Sequence, residues 1–478
     1  VRDNGEDALA RFLAEASGAS RVALNGRELL SGGAIQENWG IDAHFAGGRL
    51  AGPQRLVLRT DAATGVASSL GRIEEFAVLR AVHAAGVTVP QPLWACADPS
   101  VVGKPFFVMC RVGGTAQGRR ITAEAALPDI AWRLGQELAR LQTVRPPCPD
   151  LAFLPTIGPA EHIGAARAYL DGHPQARPVL EWALRWLETH VPEPLPSVLC
   201  HRDFRTGNYM LDGTDLTGVL DWEFAGWGDP DEDVGWFCCK GWRFARLDRA
   251  AGGIAERAPF YEGYEAAAGR RLDPARVFYW EVLANVRWAV IALQQSDRHL
   301  TQGARDLVTA IIGRRSTECD LELLMLLDPD GAPAPDRLHP ARVMGAATPA
   351  EPEGLRDLPG GAGLLALGRE LLLGELLPLL PSERHRELRL VATAMAIAER
   401  EAAAGDAPAR DILRPLRQLY GDGDLAGMLR RLAADLRVGA FEACEARARA
   451  ARAILWHLTI LKLREGNPQF LADNGFGE

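Results

Sequence analysis

No uninterrupted apolar run in this sequence is long enough to cross a bilayer. Even the most apolar stretch, Leu371 to Leu380, is broken by Gly374, Glu375 and Pro378. No membrane partner is expected. Arg2, Asp3, Glu6 and Asp7 stand where a signal peptide would carry its apolar core, so the expected location is cytoplasmic. A basic surplus is missing too. The formal charge of −9 argues against a nucleic-acid partner, because phosphate backbones are gripped by clustered Lys and Arg. It leaves room for a nucleotide, which needs only a few cations and a metal. The eight cysteines are scattered, with Cys238 beside Cys239 rather than in a metal-type spacing, and reduced thiols are expected. No internal repeat is evident. What remains is the composition of a folded globular protein, 47% hydrophobic and 24% charged. At 478 residues, two or three domains are expected.

After an amphipathic helix near Glu6 to Glu15, short apolar runs at Val22 to Leu24, Ile41 to Phe45 and Leu56 to Leu58 are separated by glycine pairs. That pattern predicts antiparallel strands joined by turns. Ile73, Phe76, Leu79 and Val82 predict a helix over 71–85, and strands follow at Leu93 to Ala97 and Pro105 to Arg111. From Thr122 the pattern is mostly helical: 132–141, 160–170, 179–190, 249–267, 277–295 and 312–327. Residues 328–363, rich in Pro, Gly and Ala, read as a linker. Further helices are predicted at 364–380, 383–404, 425–434 and 442–464, an all-helical bundle.

The chemistry lies in Cys200-His201-Arg202-Asp203-Phe204-Arg205-Thr206-Gly207-Asn208, followed by Gly218-Val219-Leu220-Asp221-Trp222-Glu223. Phosphoryl transfer needs a carboxylate to orient and deprotonate the attacking hydroxyl, and hard oxygen ligands for Mg²⁺. Asp203 and Asn208 share one tight loop in which Gly207 allows the backbone to turn. The run Leu216 to Leu220 reads as a strand delivering Asp221 to the same place, through a hairpin turning at Asp212-Gly213. The competing chemistry is a two-metal hydrolase using His201, Asp203 and Asp221, but the remaining histidines have no metal-type spacing. Gly361-Ala362-Gly363-Leu364-Leu365-Ala366 matches a loose dinucleotide pattern with no strand before it, and reads as a linker entering a helix.

Taken in order, these motifs resemble the catalytic loop of the aminoglycoside phosphotransferase and choline kinase-like family. They resemble more closely the branch associated with acyl-CoA dehydrogenases, whose loop is of the CHGDYRTGN type. The resemblance covers roughly Gly26 to Leu327. It implies an α+β, bilobal protein-kinase-like fold: a small antiparallel-sheet N-lobe over 1–112 and a mostly helical C-lobe over 113–327. A linker over 328–354 then leads to an all-α C-terminal bundle over 355–478, similar to an uncharacterised helical domain sometimes appended to these enzymes. By the likeness, Asp203 is the catalytic base, Asn208 and Asp221 hold Mg²⁺, and His201 supports the loop by hydrogen bonding. Arg205 would meet substrate or phosphate, and Asp233 would brace the loop, while the acidic cluster Asp229 to Asp233 otherwise reads as a solvated turn.

The likeness also assigns an ATP site. Gly32, Gly33 and Ala34, with Asn38 just beyond, fall where a strand-turn-strand loop covers the phosphates. Arg59 falls where kinases place a lysine, a departure that keeps the charge and changes the geometry. Glu75, rather than Glu74, matches the acidic partner of that cation. Met109, Cys110 and Arg111 fall on the hinge, where backbone groups would read adenine. The function implied is ATP- and Mg-dependent O-phosphorylation of a small-molecule hydroxyl, on a hydroxyacyl-CoA or hydroxy acid. The alternatives are an aminoglycoside or amino-alcohol kinase, and a non-catalytic nucleotide-binding module that recruits a partner. The C-terminal helices are read as a surface for homodimerisation or for docking to an acyl-CoA enzyme. His385, His457 and Cys444 read as packing or surface residues.

Overall fold

The computed structural model describes residues 3–30, 36–62, 69–123, 125–244, 246–301, 306–333 and 360–476. The chain divides into two compact units, one of residues 1–158 with 192–281, the other of 159–191 with 282–478.

The first unit opens with helix α1 (Asp3–Ser17) and strands β1 (Val22–Leu29), β2 (Gln36–Phe45) and β3 (Gly52–Asp61). Helix α2 (Arg72–Ala84), strand β4 (Pro92–Cys96), the short α3 (Pro99–Val102) and strand β5 (Phe106–Cys110) complete an antiparallel sheet of order β1-β2-β3-β5-β4. The period of two in the apolar runs explains its two faces. Ile41, Ala43, Phe45, Leu56, Leu58, Phe106 and Val108 point to one side and pack with Leu9 and Leu13 of α1. Val57, Phe107 and Met109 point to the other and pack with Val78, Leu79 and Val82 of α2. At the turn after β2, Gly48 has φ +77°, and a Cβ there would meet the Ser17 carbonyl at 2.7 Å, so only glycine fits.

Below the sheet lie α4 (Gly118–Ala123) and α5 (Pro128–Leu141); the chain then enters the second unit with α6 (Pro159–Gly172) and α7 (Pro178–Thr189). Strand β6 (Val198–Cys200), the hairpin β7 (Tyr209–Asp212) and β8 (Asp215–Val219), strand β9 (Gly226–Gly228), α8 (Glu232–Cys238) and α9 (Arg257–Ala268) belong to the first unit. The core beneath α2 continues into Leu134 and Leu138 of α5, Phe260 and Tyr264 of α9, and Phe204, Trp222 and Phe237 around the 200–223 segment. Helices α5 and α9 touch through bare backbone. A Cβ on Gly135 would lie 2.2 Å from the Phe260 carbonyl, and one on Gly263 would lie 2.0 Å from that of Trp132. Gly135→Ala is therefore expected to cost about 1–3 kcal/mol by overpacking. It should lower the thermal midpoint of the full chain, and an unchanged midpoint would show that the two helices can part at no cost.

Helix α10 (Pro274–Leu300) leads to α11 (Leu307–Arg314) and α12 (Ser316–Leu327). After residues outside the described set come α13 (Gly361–Leu371), a π turn and a 3-10 turn over 372–379, α14 (His385–Ala404), α15 (Ala407–Tyr420), α16 (Leu425–Arg437), α17 (Glu445–Gly466) and α18 (Pro468–Asp473). In the second unit Arg437 of α16 pairs with Glu181 of α7 at 2.8 Å and Asp171 of α6 at 2.6 Å. Trp456 of α17 donates to Asp328 at 3.0 Å. The late helices thus close around two helices from the middle of the chain, a long-range pairing that no local pattern encodes.

Several helix assignments change, and the one expected over 364–380 ends at Leu371. The helix expected from Arg249 starts at Arg257, because Gly252 and Gly253 take positive φ and Ala251 bridges to Ala255 instead. The helix expected over 312–327 is interrupted between α11 and α12. Helix α15 was not expected, and it carries Pro415 in its interior, a residue that ordinarily argues against one. Most of the expected linker, 334–359, lies outside the described residues.

Candidate active site

Strand β6 pairs antiparallel with β9 and ends at Cys200, delivering His201 into the interior. The Asp233 carboxylate, fully buried at the start of α8, accepts the amide hydrogens of His201 at 2.6 Å and Arg202 at 2.7 Å. With both amides tied to one side chain, the backbone passes Arg202 at φ +64°. The acidic cluster is no solvated turn. Asp231, Glu232 and Asp233 are buried, and Arg276 pairs with Asp229 at 2.5 Å and with Asp231 at 2.8 Å, because a buried carboxylate needs a cation or donors.

His201 packs on Trp222, places Nε2 2.8 Å from the Leu220 carbonyl, and takes the Asp203 amide on Nδ1 at 3.3 Å. Burial lowers its pKa, against the pull of Asp203 and the Leu220 carbonyl, which suits a neutral ring donating from Nε2 and accepting at Nδ1. Its place is behind the loop, and its contacts tie the loop to β8.

Asp203 receives an unusually full set of donors. Arg205 Nε reaches both carboxylate oxygens, at 2.9 and 3.1 Å. Trp236 Nε1 donates to Oδ1 at 3.1 Å, and Asn208 Nδ2 to Oδ2 at 2.6 Å. Asn208 therefore spends its amide hydrogens on Asp203 and keeps a carbonyl oxygen for another partner. Its backbone carbonyl accepts the Leu220 amide at 2.8 Å, which sets Asp221 beside it. The hairpin expected at Asp212-Gly213 is present as β7 and β8, with Gly213 at φ +59°. Just past it, Asp221 takes φ +63°, a left-handed conformation unusual outside glycine.

Asp221 meets the sheet through Arg59. Arg59 Nη1 lies 2.7 Å from Asp221 Oδ1 and 3.3 Å from Asn38 Oδ1, while Nε and Nη2 grip the Glu75 carboxylate at 3.1 and 3.0 Å. Burial opposes the Arg59 charge, and Glu75 and Asp221 outweigh it, so its pKa is raised. Burial likewise opposes the Asp221 charge, and Arg59, helped by Arg205 and His201, holds that carboxyl below its ordinary range. The forked guanidinium explains how arginine works here, since one side chain bridges two acids. Glu75 takes that partnership, whereas Glu74 turns back to cap its own helix at Gly71.

The sequence reading missed the second arginine of this cluster. Arg72, fully buried, contacts Glu75 and pairs with Asp61 at 3.0 Å, and its other arm donates to the Leu70 carbonyl at 2.6 Å. An Arg three positions before Glu75 on one helix face was the available signal. Glu223, bonded by Gln36, sits in the same cluster, and burial pushes its pKa up to about 7 against the pull of Arg59. Trp236 was also missed, and no local spacing announces it.

A cavity of about 660 Å³ lies between the sheet and the hairpin. Val57, Leu79, Phe107, Met109 and Val219 give it apolar walls, and Asn38, Arg59, Glu75, Gly207 and Asp221 line its polar part. Met109, Cys110 and Arg111 also line it. However, the Cys110 amide donates to the Gln91 carbonyl and that of Arg111 to the Arg55 carbonyl, each at 2.9 Å. Those two donors are committed to the sheet. Gly32, Gly33 and Ala34 lie outside the described residues.

No group of three or more His, Cys, Asp or Glu among the described residues could hold a metal alone. Mg²⁺ needs no such group, since it takes one or two protein oxygens and completes its shell with phosphate and water. The Asn208 carbonyl and the Asp221 carboxylate are such oxygens.

Residues 30–280 match the model of the phosphotransferase enzyme family, and the chain belongs to that family. Residues 378–470 match a domain of unknown function, DUF6285. The chain is 30% identical over 199 residues to acyl-CoA dehydrogenase family member 10 of Mus musculus, covering 39% of this chain and 18% of that protein. It is 30% identical over 179 residues to family member 11 of Gallus gallus, covering 34% and 22%. The matched region thus spans about a fifth of the length of these curated relatives. A crystal structure from Ralstonia eutropha JMP134, provisionally assigned as an aminoglycoside phosphotransferase, superposes with a TM-score of 0.55 at 20% identity, covering 67% of this chain and 97% of that one. This likeness shows the kinase-like fold.

Proposed function

We propose that the protein transfers the terminal phosphoryl group of ATP, with Mg²⁺, to the hydroxyl of a small hydroxy acid or hydroxyacyl-CoA. One observation carries the reading: Asp221 lines a nucleotide-sized cavity that Arg59 enters from the sheet, and the Leu220–Asn208 and Asn208–Asp203 hydrogen bonds tie Asn208 and Asp203 to the same loop junction. Asn208 and Asp221 would hold Mg²⁺, which when bound neutralises phosphate charge. Arg59, fixed by Glu75, faces the phosphates. Val112, next to the committed Cys110 and Arg111 amides and also lining the cavity, is the residue we assign as the amide donor to the base. Asp203 takes the proton as the acceptor oxygen bonds to phosphorus and the bond to ADP breaks.

The test is the thermal midpoint of the full chain with Mg-ATP against ATP with EDTA, together with ADP release on a panel of hydroxy acids, hydroxyacyl-CoAs and amino alcohols. A rise with Mg-ATP and turnover of at least one acceptor are expected. No metal-dependent shift and no turnover would overturn the reading.

We further propose that a second copy of the chain covers an apolar face in the second unit. Residues 361–380 hold ten leucines and none is buried, with Leu364, Leu367 and Leu379 at 58%, 59% and 79% exposure. Paired about a two-fold axis, such faces would bury on the order of 1,000 Å², the lower end of what a specific interface needs. One Arg and two Glu in this segment disfavour an anionic lipid surface instead. Light scattering should show a dimer that Leu367→Asp with Leu371→Asp converts to monomer. A monomeric wild-type protein at micromolar concentration, whether or not it binds an acyl-CoA enzyme, would refute this.

A further inference from the structure

The Arg59 guanidinium gives every one of its nitrogens to a protein oxygen. Nε and Nη2 hold Glu75 at 3.1 and 3.0 Å, and Nη1 holds Asp221 Oδ1 at 2.7 Å and Asn38 Oδ1 at 3.3 Å. A lysine, with one nitrogen, could not do this. Both ends of the bridge are anchored in turn. Glu75 is buried and is contacted by Arg72 as well. Asp221 follows Leu220, whose amide donates to the Asn208 carbonyl and whose carbonyl faces His201 Nε2, each at 2.8 Å. Neither partner can withdraw without breaking those bonds, so the Arg59–Asp221 contact holds as a nucleotide enters.

That contact leaves Asp221 a single oxygen to offer. Among the described residues nothing donates to Asp221 Oδ2, and Asp221 lines the 660 Å³ cavity. Asn208 is limited in the same way. Its Nδ2 is spent on the Asp203 carbonyl at 2.9 Å and on Asp203 Oδ2 at 2.6 Å, which leaves its side-chain oxygen. Two single oxygens suit a small ion that demands octahedral geometry and takes the rest of its shell from phosphate and water, as Mg²⁺ does. Ca²⁺ builds a larger shell and commonly uses both oxygens of one carboxylate. Asp221 cannot supply both while Arg59 holds Oδ1.

We propose that Arg59 is the metal-selecting residue of this site: by holding one oxygen of Asp221 it confines that carboxylate to single-oxygen ligation, so that the site takes Mg²⁺ with its nucleotide and discriminates against Ca²⁺. This rests on the phosphotransfer reading, which gives the metal Asn208 and Asp221 as ligands. It adds that the arginine standing where kinases place a lysine is a positioning residue for the metal ligand. Orientation of a ligating carboxylate by a residue behind it is worth about 10- to 100-fold in metal affinity.

The experiment is calorimetric binding of ADP, which binds without turnover, to the full chain with saturating Mg²⁺, saturating Ca²⁺ or EDTA. Wild type is expected to bind ADP roughly 10- to 100-fold more tightly with Mg²⁺ than with Ca²⁺. Arg59→Lys should draw the two affinities together, chiefly by tightening the Ca²⁺ complex, because Oδ1 is released. Whatever Arg59 does for the phosphates themselves shows in the EDTA titration and cancels in the ratio of the two metals. Equal affinities with Mg²⁺ and Ca²⁺ in wild type would overturn the proposal without recourse to any variant. So would an Arg59→Lys protein that keeps the wild-type ratio, whatever its absolute affinity, because selection would then lie elsewhere in the site. ADP binding that is the same with Mg²⁺ and with EDTA would instead remove the metal-dependent phosphotransfer reading, and this inference with it.

Discussion

Asp203→Asn is expected to lower kcat by about 10²- to 10⁴-fold, the contribution of a positioned general base. The amide cannot take the acceptor proton. It also sets N–H groups against donors, since Arg205 Nε, Trp236 Nε1 and Asn208 Nδ2 all point at the carboxylate. The nucleotide cavity does not include Asp203 in its lining, so Mg-ATP should still raise the thermal midpoint of the variant. Turnover measured by ADP release, beside that midpoint, separates the two effects. A kcat within tenfold of wild type would remove Asp203 from the role of base.

The second large effect is expected at Arg59. It is 4% exposed and bridges Glu75, 2% exposed, to Asp221. Arg59→Met leaves buried Glu75 and partly exposed Asp221 without their main cation, a loss of about 3 kcal/mol, the low end for a broken buried pair. Arg72 still contacts Glu75, and water reaches Asp221, so each acid loses less than a fully buried one would. Arg59→Lys should recover most of the thermal midpoint, because the charge returns. It cannot hold Glu75 with two nitrogens and Asp221 with a third, so nucleotide affinity should change even where stability does not. A midpoint for Arg59→Met equal to that of wild type would show that the bridge is not a structural element. An Arg59→Lys variant as unstable as Arg59→Met would show that geometry, rather than charge, carries the stabilisation.

The candidate site illustrates what a sequence can reveal. Asp203, Asn208 and Asp221 were legible because they lie within nineteen positions of one another, on a loop and a hairpin whose turn residues announce themselves. The strands of the sheet were legible as short apolar runs set off by glycine and proline, and α2 from the spacing of Ile73, Phe76, Leu79 and Val82. Glu75 could be preferred to Glu74 because one step on a helix rotates a side chain by about 100°. The residues that escaped are those whose partners are distant in sequence. Trp236 reaches Asp203 across 33 positions and Gln36 reaches Glu223 across 187. The burial of Asp229 to Asp233 was hidden for the same reason, since Arg270 and Arg276, which neutralise the cluster, come tens of residues later.

The sequence by itself determined much of the strand and helix content of the first unit, and it singled out the three residues on which the proposed phosphoryl transfer rests. Local chemistry carries such information, because turns, strand periods and a loop motif are each satisfied by neighbours along the chain. Only the tertiary structure decided that one arginine, Arg59, bridges two acids, and that Arg205 covers the Asp203 carboxylate against a tryptophan support. It also decided that the last helices close around α6 and α7 rather than forming a bundle from the C-terminal sequence alone. Those features depend on which charges are desolvated together. Burial sets that, and burial belongs to the folded chain as a whole.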